Sequence, residues 1–105
     1  MPTCGEGKYL VTLERKQIGE DLVFFLFGGE KPHIGGVVIC EPGKKPHVVS
    51  FNGHYDHLVL EPVATAACAK YKTRVVVLGG IHIDHATQQE IDQVVSNCNQ
   101  LINTI

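Results

Sequence analysis

The 105-residue chain has no tryptophan and a single methionine, and its four cysteines are scattered. Cys4, Cys40, Cys68 and Cys98 form no C-x-x-C pair, so neither a dithiol redox motif nor a zinc ribbon is indicated. The last three fall in apolar stretches and read as reduced core thiols. Positive charge is also in short supply. Nine Lys and Arg stand against eleven Asp and Glu, a formal net charge of −2. A nucleic acid or an anionic membrane surface calls for a basic face, and this balance argues against both partners. No apolar run approaches the roughly 18–20 residues of a membrane helix. The opening MPTCGEGK has neither the charged start nor the apolar stretch of a secretion signal, so a cytoplasmic protein is expected. The phosphate loops G-x-G-x-x-G and G-x-x-x-x-G-K-[ST] are missing, as is the G-x-S-x-G elbow of a serine hydrolase.

What is present is an ordinary globular composition, 44% apolar and 19% charged. It fits one domain, read as residues 8–105 behind a flexible leader, residues 1–7. KYLVTLER (8–15) alternates as a strand does. LVFFLF (22–27) is a short unbroken apolar run of the kind buried on both faces. HIGGVVICE (33–41) and HVVSFN (47–52) are further strands. The turn residues QIGED, GGEKP and PGKKP separate the four and predict an antiparallel meander. LVLEPVATAACAKYK (58–72) has helical composition, with Pro62 expected in the first turn of a regular helix that begins between Leu58 and Pro62, and Asp56 available to cap any extra turn before it. TRVVVLGG (73–80) is a fifth, buried strand. The last helix is the best marked. Thr87 and Glu90 form a capping box, and Ile91, Val94, Val95, Cys98, Leu101, Ile102 and Ile105 repeat on one face. The expected fold is an α+β two-layer sandwich, ββββαβα, with both helices on one sheet face. The apolar density of the strands makes a homodimer the natural cover for the other face.

Six histidines are the unusual count. Most of them cluster in three motifs at strand ends: PHIGG (32–36), NGHYDH (52–57) and GGIHIDH (79–85). In IHID the strand period places Ile81 and Ile83 on one side and His82 with Asp84 on the other. The helix N-terminus that follows is a ready anion site. His54, His57, His82 and His85 also supply enough nitrogen ligands for a divalent metal, although their spacing is not diagnostic. A third reading is an assembly module in which the histidines are incidental.

These motifs give the chain a family resemblance. PHIGGVVI (32–39), Gly53-His54 before the first helix, and VVVLGGIHIDHAT (75–87) resemble the small prenylated-flavin chaperone-like proteins associated with gallate-type, hydroxyarylic acid decarboxylases of the UbiD class. The resemblance implies a dimeric α+β domain that binds prenylated FMN and assists its delivery to, or maturation in, the decarboxylase subunit. Such a protein is an accessory and not itself the catalyst. It carries over to His33, Gly35, His54, His82 and Asp84. Close backbone approach at Gly35, Gly53 and Gly80, beside the apolar walls of Ile34 and Ile81, would suit a flat flavin ring. His57 and His85 depart from the family pattern and are left peripheral.

Overall fold

The computed structural model describes residues 1–51 and 56–105, so Gly53 and His54 of the predicted site lie outside the described residues. The described chain folds as six strands and two α-helices: β1 (Thr3–Cys4), β2 (Val11–Ile18), β3 (Asp21–Gly29), β4 (Gly36–Cys40), β5 (His47–Ser50), α1 (His57–Tyr71), β6 (Val75–His82) and α2 (Gln88–Ile102). Lys8 and Tyr9, expected at the start of a strand, belong to a short 3-10 turn, Gly7–Tyr9. Thr3–Cys4, in the stretch read as a leader, pair with Val11 and Thr12 of β2.

All six strands form one sheet in the order β1-β2-β3-β6-β4-β5. The α+β sandwich is as expected, but the four-strand meander is not. β2 and β3 make one hairpin, with Gly19 at φ +60° in its two-residue turn, and β4 and β5 make another. Between the two hairpins lies β6, parallel to β3 and antiparallel to β4. The physical reason is the VVVL run. A strand apolar on both faces is most stable in the middle of a sheet, where neighbours shield it on each side. A meander would have left it at an edge. Residues 30–35, read as part of a tight turn and a strand, are instead the connection that steps over β6.

The side chains of β3 alternate strictly between buried and half-buried. Leu22, Phe24 and Leu26 share the helix face with Val75 and Val77 of β6, Val38 of β4 and Leu13 of β2. Against them pack Leu60, Val63 and Ala67 from α1, and Val94, Cys98 and Leu101 from α2. The opposite face carries Val23, Phe25, Val37, Ile39, Val76 and Leu78, none of which belongs to that core. The cross-strand row Phe25, Leu78, Val37, Val49 runs through its middle.

α1 begins at His57, and Pro62 sits in its second turn rather than its first. Asp56 occupies the N-cap position, yet its side chain makes no capping bond. α2 starts as predicted. Thr87 Oγ1 accepts from the Glu90 N–H, and Glu90 Oε1 accepts from the Thr87 N–H. Lys8 closes the motif with an ion pair to Glu90. That contact and the backbone bond from Thr87 push the Glu90 carboxyl down to about 2.

Candidate functional site at the end of the central strand

β6 ends at His82, beside the end of β3, and the connection out of β3 folds back over it. The backbone N–H groups of Glu30 and Lys31 both donate to the His82 carbonyl, at 2.8 and 3.2 Å. Gly29, at φ +80°, permits this approach, since a Cβ there would stand 2.4 Å from that carbonyl oxygen. The fold therefore gathers PHIGG and GGIHID at one point. The third motif adds Asp56 and His57.

His82 and Asp84 do share a side. His82 Nε2 lies 3.0 Å from Asp84 Oδ1. Lys31 Nζ reaches both oxygens of Asp84, at 3.2 and 3.0 Å. The Lys31 ammonium first, and then His82, hold the Asp84 carboxyl below the usual carboxylate range. With Nε2 committed to Asp84, no described group engages Nδ1 of His82. This nitrogen is the site's available hydrogen-bonding atom.

His33 stands across from His82, ring centroids 6.1 Å apart and nearly perpendicular. Its Nδ1 is 3.0 Å from the Lys31 carbonyl and its Nε2 is 3.2 Å from Asp56 Oδ2. Asp56 is buried, and its other oxygen accepts the Ile81 N–H at 2.9 Å. The chain reading offered Asp56 only as a cap. In the fold it ties the start of α1 to the end of β6 and to His33. Lys31 and Glu30, whose Oε1 accepts the Asp84 N–H, were also missed. Neither stands out in sequence, because only the fold-back of the connection brings them to Asp84.

The glycines are explained by the same contacts. A Cβ on Gly35 would lie 1.9 Å from Asp56 Oδ2, and one on Gly80 would lie 2.9 Å from His33 Nε2. What approaches these backbones closely is the His33–Asp56 couple. Ile34 is 60% exposed on the connection. His57 bonds Ser50 at 2.7 Å, and His85 occupies a turn at φ +51°. Among the described residues, no three His, Cys, Asp or Glu side chains gather in a metal-holding group.

Next to His82 opens a cleft of about 290 Å³, between the start of α1, the end of β6 and one face of α2. Its walls are Leu58, Val59, Ile81, Ile83, Ala86, Ile91, Val94 and Val95, with Asp56 and His82 as the polar lining. Ile91, expected in the core face of α2, is 45% exposed here, and Leu58 of α1 is 64% exposed. At the N-terminus of α2, the expected anion site, the Glu90 carboxylate already accepts the Thr87 N–H.

An apolar cleft edged by a few polar groups is the form that small-molecule sites commonly take. Sequence comparison gives the family. Residues 5–105 match the family described as the prenylated flavin chaperone LpdD-like domain, and the chain belongs to that family. It is similar to Protein LpdD of Lactiplantibacillus plantarum, 27% identical over 94 residues that span 85% of this chain and 69% of that protein.

Proposed function

We propose that this protein binds prenylated FMN at the end of β6 and passes it to, or assists its maturation in, a UbiD-type aromatic acid decarboxylase in the cytoplasm. It acts as an accessory protein. The observation that carries the reading is the juxtaposition of an apolar cleft with an imidazole whose second nitrogen is available. A flavin presents a flat apolar edge and a polar edge of carbonyls and ring nitrogens, and this donor set fits both. His82, fixed by Asp84 and Lys31, addresses the polar edge, and the cleft receives the apolar one. Two copies associate through the sheet face of Phe25, Leu78 and Val37, which no element of the described chain covers.

The test is cofactor transfer. Apo-decarboxylase is mixed anaerobically with reduced prenylated FMN, with and without this protein, and the rate of holoenzyme formation is followed. The protein accelerates loading, and His82→Ala loses most of the acceleration while remaining folded. Equal rates with and without the protein would remove the proposal.

A further inference from the structure

The cleft also bears on which part of a flavin this protein reads. We infer that it recognises the hydrocarbon added by prenylation and leaves the phosphate outside, so that it selects prenylated FMN over FMN. The inference rests on the flavin-binding reading above and names its specificity.

Three observations carry it. The first is the lining: aliphatic side chains from α1, β6 and α2, with no Lys or Arg among the described residues that form it. Of its two polar side chains, Asp56 is held by Ile81 and His33, and as an acid it would repel a phosphate. The second is the state of the neighbouring charges. At the N-terminus of α2, the obvious anion site beside the cleft, the Glu90 carboxylate already accepts the Thr87 N–H and pairs with Lys8. Lys31, the cation at the His82 lip, is held by Asp84. Placing a phosphate in this cleft would bury an anion with no free Lys or Arg among the described residues that line it, which is strongly unfavourable. The third is Leu58 of α1 and Ile91 of α2, two large apolar side chains that line the cleft and are left exposed. A hydrocarbon ligand packed against them removes both from water. Burying one more ligand carbon is worth roughly fourfold in affinity. The prenyl-derived ring adds a handful of carbons, so partial burial gives a preference of about a hundredfold.

The experiment is anaerobic equilibrium binding of three reduced ligands, prenylated FMN, its dephosphorylated form and FMN, to the full chain and to two variants. Prenylated FMN binds about a hundredfold more tightly than FMN, and dephosphorylation costs less than about threefold. Ala86→Phe, which fills the cleft, lowers the affinity for prenylated FMN at least tenfold and narrows its preference over FMN to within about tenfold. Ile91→Ser, at an exposed position, lowers the prenylated affinity severalfold and keeps the test decisive if the larger side chain disturbs folding. Equal binding of FMN and prenylated FMN, or a loss concentrated in the dephosphorylated ligand, would overturn the inference while leaving flavin binding intact. Binding of none of the three would overturn both.

Discussion

At the scale of single residues, Asp56 joins the start of α1 to the end of β6 and to His33. Its carboxylate holds the Ile81 N–H and His33 while sitting 9% exposed. Truncating the side chain in Asp56→Ala takes away the acceptor of the Ile81 N–H. The expected cost is about 1–3 kcal/mol of folding stability, measured by urea unfolding. Gly35→Ala is expected to disturb the same couple, because its Cβ would meet Asp56 Oδ2 at 1.9 Å. The His33 ring resonances in NMR spectra should shift in this variant even where the protein remains folded. Gly43→Ala, strained by its φ of +76° but with nothing within 4 Å of the new Cβ, controls for backbone strain away from the site and leaves those resonances in place. The pairing of His82 with Asp84 was legible in IHID, although β6 ends at His82 and Asp84 lies in the turn beyond it. Nothing comparable marked Asp56 or Lys31. Their roles arise from contacts across 25 and 53 positions of the chain, and local patterns carry no such information.

Among the elements, α2 was the most legible in sequence and β6 the least. A capping box is a local signal complete within four residues, and it formed as written. Thr87→Ala should therefore cost about 1 kcal/mol, read as a lower midpoint in thermal unfolding. The motif also sets a pH dependence. The Glu90 carboxyl lies at about 2 in the folded protein against an ordinary 4.5. A carboxyl depressed on folding stabilises the fold above its unfolded value, and that contribution is lost as pH falls. Stability should decline between pH 4.5 and 2, and Glu90→Gln should flatten the decline in a series of thermal melts. For β6, the apolar run correctly signalled a buried strand. Its neighbours were not signalled, since hairpins are specified by their turns but a parallel pairing is specified only by the whole sheet. Pro62 shows the same limit on a smaller scale. Propensity places it in a first turn, yet α1 begins at His57, where Ser50 receives the imidazole.

On the scale of the whole molecule, one sheet face is sealed by two helices and the other presents an apolar row to its surroundings. If that face joins two copies, Leu78→Lys should convert a dimer to a monomer in sedimentation analysis. It should also leave the helix-side core, and hence the far-ultraviolet circular dichroism spectrum, unchanged. Retention of the dimer in this variant would move the interface elsewhere. The proposed flavin site is at one end of the sheet. It lies where β3 and β6 finish, α1 begins and the 30–35 connection crosses. There the chain brings together motifs that are some fifty positions apart in sequence. The central claim is that this end holds a prenylated flavin. Its most direct test is an anaerobic titration of the purified protein with reduced prenylated FMN, followed by flavin absorbance and fluorescence. The account predicts a saturable spectral change at one flavin per chain, weakened in His82→Ala. An unchanged flavin spectrum at micromolar protein would contradict it.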